Sequence, residues 1–163
     1  MLSILINVLS STVLGQVQQF LVALAVLLVI IGIGIVFDII GVAVQAAEEK
    51  PFHSMAARKV RGAHHSISII RNSEKVASFC NDVVGDIAGI ISGTTVTVVL
   101  VFVVDIFGSK NEMGLSLLLT GLVSAITIGG KALGKTFAMN NANTIVYLVG
   151  MLFSLLDFSR KKK

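Results

Sequence analysis

From Val17 to Val36 the chain reads VQQFLVALAVLLVIIGIGIV without one charged residue. As an α-helix this run is about 30 Å long, the thickness of a bilayer's hydrocarbon core. In hydrocarbon each backbone N–H and C=O must be satisfied within the protein, and a helix does that inside one segment. The run is too long for a signal-peptide core, has no basic region before it and shows no clean cleavage site after it. It reads as a retained span that continues through FDIIGVAVQAA to Ala47. A second span is expected at Ile87–Phe107, apolar apart from Thr94, Thr95, Thr97 and Asp105. A third starts at Leu115–Ile128 and extends toward Lys135 if polar residues line its inner end. The segment TIVYLVGMLFSLLDF is shorter and suits an interfacial helix. The opening LSILINVLSSTVLG is expected to form an interfacial or re-entrant element.

The fold class expected is therefore all-α and membrane-integral: three transmembrane helices, cytoplasmic amphipathic helices and a juxtamembrane helix. An N-terminal element covers 1–16 and one membrane domain covers 17–158. Within it spans lie at about 17–47, 79–107 and 113–135, a cytoplasmic segment at 48–78 and a juxtamembrane helix at 141–158; a basic tail occupies 159–163. With 55% hydrophobic and 13% charged residues in 163, the composition fits one compact helical membrane domain. Cys80 has no partner cysteine, which excludes a disulfide framework.

Charge placement sets the expected orientation. Lys50, Arg58, Lys59, Arg61, Arg71, Lys75 and all three histidines fall between Ala46 and Ser78, and the chain ends RKKK. The positive-inside rule puts that segment and the tail in the cytoplasm and the N-terminus outside. Three spans satisfy both placements; a fourth would put RKKK on the wrong side. The net charge of +4 thus reflects topology and anionic headgroups rather than nucleic acid.

After Pro51 the stretch PFHSMAARKVRGAHHSISIIRN has helical periodicity, with Ala56, Val60, Ala63, Ile67 and Ile70 on one stripe and Gly62 as a break or bend. Asn72 or Ser73 is the expected N-cap of the following helix. His53, His64 and His65 lack the Cys or paired carboxylate of a metal site, and His64 and His65 point about 100° apart on a helix, so they read as interfacial.

Two glycine ladders, Gly85/Gly89/Gly93 and Gly121/Ala125/Gly129, have the spacing that lets helix backbones approach closely in lipid, and are expected to build the bundle. The carboxylates need a different account, because an unpaired charge within a span costs several kcal/mol, roughly 3 or more at its centre. Asp82 and Asp86 stand at i and i+4 with Asn81 beside them. Asp38 lies within the first long helix with Gly41 and Gln45 one and two turns on, and Lys131 follows the Gly129–Gly130 pair. Two readings fit. Asp38, Asn81, Asp82 and Asp86 line a cavity for a hard cation such as Mg²⁺ or Na⁺, with Lys131 and Gln45 at its edge. Alternatively Lys131 pairs with Asp38 or Asp82 in a network that serves assembly alone.

The ordered motifs AARKVRGAHHSISIIRNSEKVASFCNDVVGDI and GGKALGKTFAMNNANTIV resemble the transmembrane domain of the CorB/CorC and cyclin M (CNNM) magnesium transporter family. RNSEK stands where that family has ENPDR, and CNDVVGDI where it has GNNLVNI. The resemblance covers about residues 20 to 158 and implies a homodimer in a bacterial plasma membrane, moving Mg²⁺ through an acidic inward-facing cavity with possible Na⁺ coupling. It carries the family's paired Asn positions onto Asn81 and Asp82, its third Asn onto Gly85 and a first-span serine near Asp38. It also places Lys131 where the family has Glu, and Gly134 where it has Pro, which puts a fixed cation beside the metal position. The nucleotide-binding modules of the family do not follow in this sequence, so no direct response to ATP is expected. No phosphate loop, nucleophile motif or HExxH is present, and no enzymatic activity is expected. The alternative function is a transport-inactive scaffold or interaction subunit of the same fold, with an unidentified membrane partner.

Overall fold

The computed structural model describes the backbone of residues 2–107 and 112–160, and the side chains of 19–105 and 113–155. Its elements are α1 (Leu2–Ala46), α2 (Glu49–Ala57), α3 (Ala63–Arg71), α4 (Ser73–Ser78), a π-helical stretch (Phe79–Val84), α5 (Gly85–Phe107), α6 (Glu112–Asn140) and α7 (Ala142–Arg160). No strand occurs among the described residues. Three stretches are long and apolar enough to cross a membrane: Gln19–Ala46, Ser73–Asp105 and Met113–Asn140; Ala142–Leu155 is a shorter apolar helix.

The chain divides into two compact units, Met1–Ile33 with Ala88–Thr127, and Gly34–Ile87 with Ile128–Lys163. In the first, Leu27 and Ile31 of α1 and Ala88, Ser92, Val96, Val99 and Val103 of α5 are buried. The α5 positions recur every three or four residues and make one inward stripe. Outward-facing side chains are just as apolar: Leu28, Val29, Ile90, Leu117, Leu118 and Leu122 are exposed. From Met113 to Thr127 no residue is buried. Apolar surface on this scale is foreign to a water-soluble monomer.

The second unit holds the densest core. Phe52 of α2 is 1% exposed and packs with Ala43 and Val44 of α1, Ile67 and Ile69 of α3, Ala138 of α6 and Ala142 and Val146 of α7. Helices α3 and α7 cross through small residues. The Ser66 hydroxyl, fully buried, lies 3.1 Å from the Gly62 carbonyl and 3.2 Å from that of Val146, and donates into this pair. A Cβ on Gly150 would strike Ser66 Oγ. The backbone N–H of Glu48, just past α1, donates to Asn143 Oδ1 at 3.0 Å and ties that end to the start of α7.

Several expectations need correction. Helix α1 runs unbroken over Leu2–Ala46, with no re-entrant turn between residues 2 and 16; the side chains before Gln19 lie outside the described residues. The second long helix begins at Ser73, where the N-cap reading puts it, and the stretch long and apolar enough to span is Ser73–Asp105 rather than 79–107. The stretch after Pro51 is two helices, because the chain turns at Arg58–Gly62, with Lys59 at φ 55 and Gly62 at φ 84. Asn72 does precede α4, but its side chain caps nothing there; Nδ2 donates back to the Ser68 carbonyl at 2.9 Å and closes α3. Gly89, Gly93, Gly121 and Gly129 meet nothing within 4 Å, so they do not close helix contacts within the chain. Gly41, Gly130 and Gly134 do: a Cβ on Gly134 would lie 2.8 Å from Ile39 Cγ1, and one on Gly130 would overlap Ile35.

Candidate functional site

The buried positions along the second long helix are Ala77, Cys80, Gly85, Ala88, Ser92, Val96, Val99 and Val103. The step from Cys80 to Gly85 is five residues, whereas an α-helical stripe advances by three or four. The extra residue is absorbed by the π-helical stretch, where the Gly85 N–H donates to the Cys80 carbonyl. Such wide turns concentrate at functional sites because they re-aim side chains without ending the helix. Here the stretch contains Asn81 and Asp82, and downstream residues are rotated from the phase a regular α-helix would give them.

Asn81 points at α1. A Cβ on Gly41 would sit 2.5 Å from Asn81 Oδ1 and 3.0 Å from its Cγ, so the amide fits only because Gly41 has no side chain. Asn81 Oδ1 is buried and accepts no hydrogen bond. An orphaned acceptor costs about 1–3 kcal/mol. Three residues before Gly41, Asp38 Oδ1 lies 3.8 Å from Lys131 Nζ of α6, with the two side chains 19% and 36% exposed. That separation is Coulombic contact rather than a hydrogen bond. A Cβ on Gly85 would be 3.8 Å from the same Nζ, which places the ammonium over the end of the π-helical stretch. Asp38, Gly41, Asn81, Gly85 and Lys131 thus form one cluster from three helices, held close by the Gly130–Ile35 and Gly134–Ile39 approaches.

The other expected ligands lie elsewhere. Asp82 is exposed and accepts the Ser78 hydroxyl on its own helix. Asp86 and Gln45 are exposed. Among the described residues no three His, Cys, Asp or Glu side chains stand close enough to hold a metal together. The cluster therefore does not fit a closed carboxylate cage, although one carboxylate and an amide oxygen suit a cation that keeps most of its water, as Mg²⁺ does. Sequence reasoning missed the wide turn and the role of Gly41; the five-residue step between Cys80 and Gly85 was the available signal.

A second polar group occupies the short helices. Arg71 Nε donates to Glu49 Oε1 at 2.6 Å, and His53 Nε2 lies 3.0 Å from the same oxygen. The Arg71 hydrogen bond holds the Glu49 carboxyl below its ordinary 4.5, against a smaller upward push from desolvation. All three side chains are solvated enough that this group is a surface clamp between α2 and α3. No protein-family model, no curated protein and no solved structure matches this chain, and the chemistry of the site is argued from its own residues.

Proposed function

We propose that this chain is a three-span membrane domain that carries a hard cation, with Asp38 as the charge the cation visits and Lys131 as the resident cation between visits. The observation that supports it is the Asp38–Lys131 contact beside a buried, unpartnered Asn81 oxygen. Ionisable groups inside apolar spans are costly and mark ion paths. An amide oxygen left without a donor is a ready ligand for a partly hydrated ion. The resemblance of the motifs favours Mg²⁺ as cargo with Na⁺ as the coupled ion. Basic residues between Ala46 and Ser78 favour a cytoplasmic placement of the short helices. The open Gly121/Ala125/Gly129 face is compatible with a homodimer.

The scaffold reading has its own observation: Lys131 already neutralises Asp38, and a satisfied pair needs no cargo. Proteoliposomes carrying an entrapped Mg²⁺ indicator, with Na⁺ gradients of both signs, separate the two. Flux that follows the Na⁺ gradient and vanishes in Asp38→Asn supports the carrier. Absence of flux from folded wild-type protein, with Asp38→Asn losing stability only, supports the scaffold.

A further inference from the structure

Between α2 and α3 the chain turns through Arg58, Lys59, Val60 and Arg61, and all three cationic side chains are exposed. Lys59 takes φ 55, a left-handed conformation that side chains bearing a Cβ rarely adopt outside constrained sites. The turn is seated on α7: a Cβ on Gly62 would lie 2.8 Å from both the N and Cα of Met151. Close by on α7, Leu148, Leu152 and Leu155 recur at i, i+4 and i+7 and are all exposed. A cationic turn fixed against the backbone of a helix with an exposed aliphatic stripe matches the two halves of a phospholipid.

We propose that Arg58 and Lys59 of this turn bind the phosphodiester of an anionic phospholipid, whose acyl chains lie along the Leu148/Leu152/Leu155 stripe of α7. The inference rests on the chain residing in a bilayer, but not on cation transport. Guanidinium and ammonium groups supply charge-assisted donors to phosphate oxygens. The left-handed Lys59 backbone takes the chain off the helical path of α2 at this point.

The test is a native mass spectrometry titration of the full chain in detergent with phosphatidylglycerol, phosphatidylcholine or inorganic phosphate. Wild type is expected to retain phosphatidylglycerol in preference to phosphatidylcholine. In Arg58→Gln/Lys59→Asn that retention should weaken by about 30-fold, two surface cations' worth; Asn tolerates the left-handed turn, so the fold is preserved. Lys59→Arg should bind as wild type, and Lys75→Gln/Lys135→Gln, which removes equal charge elsewhere, should change binding less than threefold. Equal weakening in both double variants, or no preference between the lipids, would overturn the site. Displacement of the lipid by equimolar inorganic phosphate would mark a free-anion site and overturn the lipid assignment. An alkaline carbonate wash reports separately on the bilayer: release of wild type defeats the membrane reading itself, whereas retention without lipid preference defeats only the headgroup site.

Discussion

The Asp38–Lys131 contact sets a measurable energy. Two unit charges 3.8 Å apart attract by about 4 kcal/mol at an effective dielectric of 20. With Lys131 36% and Asp38 19% exposed, solvent screens part of this, and no hydrogen bond adds to it. We expect a coupling of about 1–2 kcal/mol, between the values typical of exposed and of fully buried pairs. Asp38→Asn leaves the Lys131 ammonium over Gly85 without its counter-charge, and Lys131→Met leaves the Asp38 carboxylate unpaired in an apolar helix. Each single change should cost about 2–3 kcal/mol, less than the 3–5 of a fully buried pair. The double variant Asp38→Asn/Lys131→Met should be more stable than the sum of the singles by the coupling. Reversible unfolding in mixed detergent–dodecyl sulfate micelles measures all four proteins. Additivity within about 0.5 kcal/mol would show that the two groups do not interact, and both the resident-cation argument and the scaffold reading would lose their basis.

Other expectations follow from the same geometry. Phe52→Ala empties the centre of the second unit's core and should cost about 3–5 kcal/mol in the same unfolding assay, against under about 1.5 for Phe52→Leu with repacking. Gly41→Ala should collide with the Asn81 amide and destabilise by about 1–3 kcal/mol, and Asn81→Ala in the same chain should recover most of the loss because the colliding atoms are gone. The Glu49 carboxyl has a folded-state pKa below its ordinary 4.5, so its contribution is present above that value and is lost as pH falls through the lowered one. Acid unfolding of Glu49→Gln should therefore converge with that of wild type once the pH has fallen below the lowered folded-state pKa, where both side chains are neutral, and continued divergence there would refute the linkage.

Much of the fold is legible because hydrophobic runs report directly on helices: Val17–Val36 lies inside α1, and the break read at Gly62 falls in the turn between α2 and α3. The Ala63/Ile67 stripe is buried as its periodicity requires. Legibility stops where a neighbour decides. A four-residue glycine ladder identifies a face of a helix but not what it meets. On α6 the Gly121/Ala125/Gly129 face is open, while Gly130 and Gly134, displaced from it by one residue and so by about 100°, carry the close approach to α1. Asp82 and Asp86 are both exposed, and the spacing that sets them four apart says nothing of what that face meets. Which aspartate would meet Lys131 was open in the sequence, because only tertiary packing brings α6 to Asp38 rather than to Asp82.

The pair also constrains what a carrier built this way could move. A cation approaching a neutral Asp38–Lys131 pair gains attraction from one partner and loses a similar amount to the other; at about 4 Å and an effective dielectric of 20 each is about 4 kcal/mol per unit charge, and doubling the charge doubles both. The intact pair therefore holds no ion, whatever its valence, and binding requires Lys131 to swing off Asp38. After that swing a monovalent ion neutralises Asp38 fully, whereas a divalent ion leaves one excess charge, which retained water screens and a further carboxylate would balance. Asp82 and Asp86 are the nearest carboxylates in sequence to Asn81, but both are exposed and Asp82 is engaged by Ser78. On the carrier reading, Lys131→Gln should accordingly make Asp38 accessible without the swing and raise cation binding for both valences, with Asp82→Asn then weakening Mg²⁺ more than Na⁺. Calorimetric titration of the two variants with each ion measures this. Equal losses for Mg²⁺ and Na⁺ in Lys131→Gln/Asp82→Asn would show that Asp82 supplies no second charge to the site.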